Sequence, residues 1–355
     1  MQSHYNVSMN IPAYIKSGDT IGITAPSFGA TTEPYISRFK QAVNLLEQRG
    51  YKLKIGKTCY KSDGLGISTN PVDCARELTE FYLDSSIDAI ISCGGGELMC
   101  ETISHVDFDA IRHAKPKWFM GYSDNTNFIF PLVTQCSTAA IYGHCITGFG
   151  KPWEQSELDT IGLLEGTVHQ VAGYDLFQSP ETGTEAKLQN PLSSYILDQK
   201  KKLVCHTPGH SSRQNDINAR GTLIGGCLDV LANIAGTRFD GTRFFNEQTD
   251  STIWVLESCD LSPMDIRRAI WHLDECGWFD KASAFIIGRP LAAWRQEMMQ
   301  VNQYNAVTGI LSKYNVPIIM DADVGHIAPT MPLVMGCTAD VTITEGNIEV
   351  RFLTV

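Results

Sequence analysis

Three residues of this chain have side chains suited to acyl transfer, and each stands where one element ends and a turn begins. Ser123 follows the apolar run Trp118-Phe119-Met120-Gly121 and Tyr122. It precedes Asp124-Asn125-Thr126, residues of the kind that start helices, and then the apolar stretch Phe128–Val133. The pattern predicts strand, sharp turn and helix, with Ser123 at the turn. A serine there projects above a sheet edge at the positive end of a helix dipole. The amide of Asp124 is free to face a developing oxyanion. The stretch departs from the serine elbow G-x-S-x-G, because Asn125 stands in place of the second glycine. Glu257 closes the apolar run Ile253-Trp254-Val255-Leu256, and His326 follows Gly325 in a sharp loop. Alone, each has an ordinary reading: Ser123 as a helix cap, Glu257 as a charge at a helix start, His326 as a loop histidine bonded to backbone. Together they supply nucleophile, orienting carboxylate and general base. A serine hydroxyl is nearly inert without a base. Neutral imidazole takes its proton, and a carboxylate on the other ring nitrogen fixes the tautomer.

A glycine triplet, Gly94-Gly95-Gly96, follows the buried-looking strand Ile87–Ser92. It lacks the G-x-x-x-x-G-K-[ST] pattern of a phosphate loop and has no lysine after it. A loop whose backbone must approach a reacting group closely fits an oxyanion hole; plain turn flexibility is the alternative. Other chemistries find less support. A thiol hydrolase needs cysteine at the elbow, and Cys93 lies in its strand instead. A metallohydrolase needs clustered ligands, and His206 and His210, spaced by four, are a lone pair in a turn-rich stretch. A binding protein on the same scaffold would be expected to lack one of the three acyl-transfer residues.

The elements that must position these groups alternate. A strand at Ile21–Thr24 leads to a helix from Glu33 to Arg49 with Ile36, Phe39, Ala42, Val43 and Leu46 on one face. A strand at Tyr51–Ile55, a helix at Pro71–Leu83 and the strand before the glycines follow. Alternation of strand and helix predicts a parallel α/β sheet, with sites at the carboxyl ends of its strands. The pattern loosens between residues 151 and 217, which reads as a connection and partly a long loop. Strands and helices resume at Gly221–Gly226, Leu228–Ile234, Ser251–Leu256, Pro263–Cys276, Ala284–Gly288 and Val316–Met320. The tail, Thr338 to Phe352, predicts a hairpin turning at Glu345-Gly346-Asn347. The expected organisation is a first α/β domain over 1–150, the connection over 151–217, and an α+β domain over 218–355.

The chain has 355 residues, enough for two cores, with 43% hydrophobic and 19% charged residues. Its net charge of −11 argues against nucleic acid and anionic membrane surfaces as partners. No apolar run approaches the roughly 20 residues of a membrane span. The amino-terminal residues Met1–Asn6 lack the basic and apolar regions of a secretory signal. Eleven cysteines are scattered without a C-x-x-C pair. That pattern points to thiols in a reducing compartment, hence the cytoplasm.

Several blocks in order carry a resemblance: Gly18-Asp19-Thr20-Ile21 through Ala25-Pro26-Ser27, Gly95-Gly96, Gly121-Tyr122-Ser123-Asp124, Gly221–Gly226, Leu256-Glu257, and Gly325-His326 with Pro329 and Pro332. The chain resembles the LD-carboxypeptidase family of serine peptidases, which includes muropeptide carboxypeptidases and microcin C immunity peptidases. The resemblance implies a Ser123–Glu257–His326 triad and an oxyanion hole from the amides of Asp124 and Gly96. It implies a flavodoxin-like, class I glutamine amidotransferase-like first domain and a smaller, swivelling second one, with the site between them. It further implies a homodimer, no metal and no cofactor. The substrate would be a small peptide, cut at an amide bond between an L-centre and a D-residue, or a peptidyl or aminoacyl nucleotide. The long segment between Ser123 and Glu257 is similar to that of the immunity branch, whereas Gly96-Glu97-Leu98-Met99 departs from both branches. For the substrate carboxylate, Arg289 is a candidate cation.

Overall fold

The computed structural model describes residues 9–207 and 216–353. Its first sheet has six strands, in the order Leu333–Met335, Ala140–Tyr142, Trp118–Gly121, Ala89–Ser92, Thr20–Thr24 and Lys52–Ile55. The last five run parallel, and Leu333–Met335 lies antiparallel on the edge. Parallel strands are covered by helices on both faces, so they read as continuous apolar runs. Ala89–Ser92 and Trp118–Gly121 are buried at every position. The helix expected over Glu33–Arg49 spans Tyr35–Gln48 and buries Arg38, Phe39, Ala42 and Leu46. The Pro71–Leu83 helix has the start its sequence advertises: Pro71 at the first position and an Asn70 side chain that accepts the Asp73 amide at 2.9 Å.

The second sheet has eight strands. Four parallel strands, Ile217–Cys227, Thr252–Glu257, Ala282–Gly288 and Ile318–Ala322, form its centre. The expected tail hairpin, Thr338–Thr344 with Asn347–Phe352, extends one side and is followed by Gln170–Ala172; Val204–His206 closes the other.

The stretch 151–217, read as a connection, thus supplies both edges of this sheet. It also holds a helix, Gln155–Glu165, opened by reciprocal bonds between Glu154 and Glu157. That helix hides from a periodicity search because Ser156, Glu157, Asp159 and Thr160 are buried with Ile161, Leu163 and Leu164. Its inner polar groups are satisfied partly within the helix, as Thr160 on the Ser156 carbonyl, and partly from outside it. Lys151 pairs with Glu157 at 3.0 Å, and the Ser156 hydroxyl donates to the Thr330 carbonyl at 2.6 Å. The aromatics of this stretch pack as well. Trp153 donates to the Phe149 carbonyl at 2.9 Å, and Tyr174 to Asp159 at 3.1 Å.

The two sheets are laced together by the chain itself. After Ile318–Ala322 in the second sheet it crosses to Leu333–Met335 in the first, then returns for the hairpin. His326 lies on that crossing. The Thr126 hydroxyl, in the helix after Ser123, accepts the Cys227 amide at 3.0 Å at the end of a second-sheet strand. Among the described residues no helix is long and apolar enough to cross a membrane. All eleven cysteines are free thiols.

Candidate active site

Ser123 sits two residues beyond Trp118–Gly121, in a single 3-10 turn (Ser123–Asn125) that runs into the helix Thr126–Thr134. Its φ of +62° is left-handed, a conformation a non-glycine residue holds only when its surroundings impose it. The neighbours that impose it are identifiable. Asp124, 2% exposed, accepts the Ser27 hydroxyl at 2.5 Å, the Met99 amide at 2.9 Å and the Asn127 side-chain amide at 2.8 Å. Asn125, the residue in place of the elbow's second glycine, donates to the carbonyls of Gly94 at 2.9 Å and Tyr122 at 3.0 Å. It therefore straps the glycine loop to the turn. Burial raises the Asp124 carboxyl against these three donors.

Glu257 ends the Thr252–Glu257 strand and is 2% exposed. Its Oε2 lies 2.8 Å from His326 Nδ1, and His326 Nε2 lies 2.8 Å from Ser123 Oγ. A carboxylate only accepts, so Nδ1 carries a proton, and in the neutral ring Nε2 is then bare to accept from the serine hydroxyl. Gly325 makes this approach possible: at φ +106°, a Cβ on it would fall 2.4 Å from Glu257 Oε2. Burial pushes the His326 ring toward its neutral form, but the charge of Glu257 and bonds to Cys259 and Glu257 outweigh it and hold its pKa well above 6.5. Glu257 is held below the usual glutamate range; burial opposes this, and the His326 charge with bonds from His326, Tyr142 and Cys227 prevails.

Two contacts escaped the sequence reading. The Tyr142 hydroxyl donates to Glu257 Oε1 at 2.5 Å and accepts the Ser123 amide at 3.1 Å. A tyrosine ending a short apolar strand carries no sequence signal for such a role. The Cys259 thiol, two residues beyond Glu257, lies against the His326 ring.

In the glycine loop, a Cβ on Gly95 would stand 3.2 Å from Ser123 Cβ and 3.3 Å from its Oγ. A Cβ on Gly96 would instead fall 2.0 Å from Ser27 Oγ. Gly95 therefore covers the serine, and Gly96 is backed against Ser27 and Phe28. Ser123, His326 and the loop open into a cavity of about 610 Å³, walled also by Phe28, Tyr122 and Tyr195.

Arg289 does not reach this cavity. It is 1% exposed, paired with Asp323, with its guanidinium 4.1 Å from the Phe177 ring centroid. As the candidate for a substrate carboxylate it is corrected: its charge is already spent on a buried partner. His206 bonds Ser312 at 3.1 Å, and His210 lies outside the described residues. Among the described residues no three His, Cys, Asp or Glu side chains group to hold a metal ion.

The N-terminal domain model of the LD-carboxypeptidases matches residues 21–143, and the C-terminal domain model matches 220–341. The chain belongs to the LD-carboxypeptidase family. It is accordingly a serine-peptidase-type hydrolase with the two-domain fold of that family. The microcin C7 self-immunity protein of Escherichia coli is 26% identical over 346 residues, covering 96% of this chain and 95% of that one. A probable murein peptide carboxypeptidase of Bacillus subtilis is 24% identical over 348 residues, covering 96% and 94%. Among solved structures, the self-immunity protein in complex with aspartyl sulfamoyl adenosine superposes with a TM-score of 0.76. It is 23% identical, covering 96% of this LD-carboxypeptidase-family chain and 98% of its own.

Proposed function

We infer that this LD-carboxypeptidase-family chain hydrolyses an amide bond with Ser123 as nucleophile, His326 as base and Glu257 as the carboxylate that orients it. The observation that carries this reading is the line Ser123 Oγ–His326 Nε2–Nδ1–Glu257 Oε2, with both contacts at 2.8 Å. The Ser123 oxygen attacks the carbonyl carbon while its proton moves to Nε2. The tetrahedral oxyanion is taken by the amide of Asp124 and an amide of the glycine loop, with Gly95 and Gly96 as candidates. Collapse expels the amine, which receives the proton from Nε2 and leaves an acyl-serine. Water, deprotonated by His326, releases the acid and restores the serine.

The substrate that fits this reading is a murein-derived peptide cut between an L-centre and a D-residue. A peptidyl or aminoacyl nucleotide is the second reading, favoured by the self-immunity relative and by the nucleotide analogue bound in its structure. The same reading takes the chain as a cytoplasmic homodimer acting on small substrates. The test is a hydrolysis screen of both substrate classes with the parent and Ser123→Ala. We expect release of a terminal D-amino acid by the parent and a loss of several orders of magnitude in the variant. A fully active Ser123→Ala protein overturns the nucleophile assignment.

A further inference from the structure

The cavity is charged against the trend of the molecule. The chain carries 39 acidic residues against 28 basic ones. Yet the cavity wall contains two fixed cations, Arg38 and Lys61, and one carboxylate, Glu97. The cations come from separate elements: Arg38 from the Tyr35–Gln48 helix, Lys61 from just beyond the Lys57–Tyr60 turn. Glu97 stands on the glycine loop, close enough to His326 for the two charges to interact.

Arg38 is only 8% exposed. Its Nε donates to the Pro191 carbonyl at 2.6 Å, which fixes the guanidinium in place without neutralising it. Among the described residues the ion pairs within 4.0 Å include neither Arg38 nor Lys61. Burying a guanidinium without a counter-charge is costly, and proteins normally pair such a group. The pairing of the buried Arg289 with Asp323 in the same molecule shows that arrangement. Lys61 is half-buried; the acid that senses its charge, Asp73, is already bonded by Asn70 and Arg76. Among the described residues neither cation has a counter-charge within ion-pair distance, which leaves both available to an anion entering the cavity.

We propose that Arg38 and Lys61 form the subsite that holds the negatively charged group of the substrate, a carboxylate or a phosphate, in the cavity onto which Ser123 opens. The proposal rests on the acyl-transfer reading only in taking this cavity as the substrate's. A guanidinium fork and an ammonium in the wall of one cavity suit either oxyanion.

The experiment measures binding, so it does not depend on turnover. Ser123→Ala protein is titrated calorimetrically with three probes: N-acetyl-D-alanine, its neutral C-terminal amide, and adenosine 5′-monophosphate. At least one anionic probe is expected to bind about tenfold or more tighter than the neutral amide, with the difference shrinking as salt is raised. Adding Lys61→Met is expected to remove most of that preference and leave the neutral probe unchanged, and Lys61→Arg to restore it. Arg38→Gln, checked for a native circular dichroism spectrum, is expected to act likewise; Lys61→Met carries the test should that variant not fold. Tighter binding of the carboxylate probe alone assigns a carboxyl-terminal group, and of the phosphate probe alone a nucleotide. Equal binding of charged and neutral probes, binding of none, or equal losses for both in Lys61→Met overturns the subsite. An active Ser123→Ala enzyme would overturn the nucleophile and leave this result standing.

Discussion

The Tyr142 hydroxyl joins Ser123 to Glu257: it accepts the backbone amide of the one at 3.1 Å and donates to the carboxylate of the other at 2.5 Å. Glu257 presents Oε2 to His326 and Oε1 to Tyr142. Tyr142 comes from the first sheet and Glu257 from the second, so the hydroxyl fixes the serine turn relative to the carboxylate that bonds His326.

Tyr142→Phe keeps the ring and deletes this link. It leaves a buried carboxylate oxygen and a backbone amide each short of a partner, so stability is expected to fall by about 1–3 kcal/mol. Turnover should fall about ten- to a hundredfold with KM little changed, because Glu257, released from the hydroxyl, can then hold His326 in less productive orientations. Urea unfolding and steady-state kinetics check the two effects, and unchanged turnover would show that Tyr142 serves folding alone.

Glu257→Gln removes the charge that holds the His326 pKa above 6.5. Catalysis requires the neutral ring, so kcat/KM of the parent should rise with pH through an ionisation above 6.5. In the variant, burial is left to act without the carboxylate, and the rising limb should move to lower pH while the plateau drops about a thousandfold or more. Adding His326→Ala to Glu257→Gln should cost little beyond His326→Ala alone, since the carboxylate acts through the ring. Additive losses, or a limb that stays in place, would separate Glu257 from His326.

Gly95→Ala tests the glycine loop. The added methyl would stand 3.2 Å from Ser123 Cβ, tight enough to push the loop or the serine by a few tenths of an ångström. Turnover is expected to drop at least tenfold while the unfolding midpoint shifts little, since the crowding is confined to the cavity wall. A variant with parental kinetics would place the oxyanion amide elsewhere.

Activity should survive exhaustive chelation, because in the proposed mechanism the serine, histidine and glutamate supply nucleophile, base and orienting charge without a metal. Assay after dialysis against a chelator, with zinc add-back, is the measurement. Loss restored by zinc would contradict the acyl-transfer reading.

Much of this molecule was legible before folding was considered. The central parallel strands, such as Ala89–Ser92 and Trp118–Gly121, announced themselves as short apolar runs, because both their faces are covered. The residues Ser123, Glu257 and His326 stood out because strand ends and sharp turns have local signatures: glycine, helix-starting polar residues, a carboxylate closing an apolar run. The helix Gln155–Glu165 was missed because its inward face is polar and satisfied by Lys151 and the Thr330 carbonyl, which lie outside it.

What the sequence by itself determined was the order of the central strands and helices, the family resemblance, and three side chains of the types acyl transfer needs, since each depends on residue type and near neighbours along the chain. What only the tertiary structure decided was their meeting. Ser123 and His326 are 203 positions apart, and their 2.8 Å contact exists because the chain crosses from the second sheet to the first between Ala322 and Leu333. The Tyr142 link, the seating of Gly95 over the serine, the loss of Arg289 to Asp323 and the absence of an ion pair to Arg38 among the described residues were decided in the same way. Hydrogen bonds and charge pairing act over a few ångströms of space, and distance along the chain carries no record of which groups folding will bring that close.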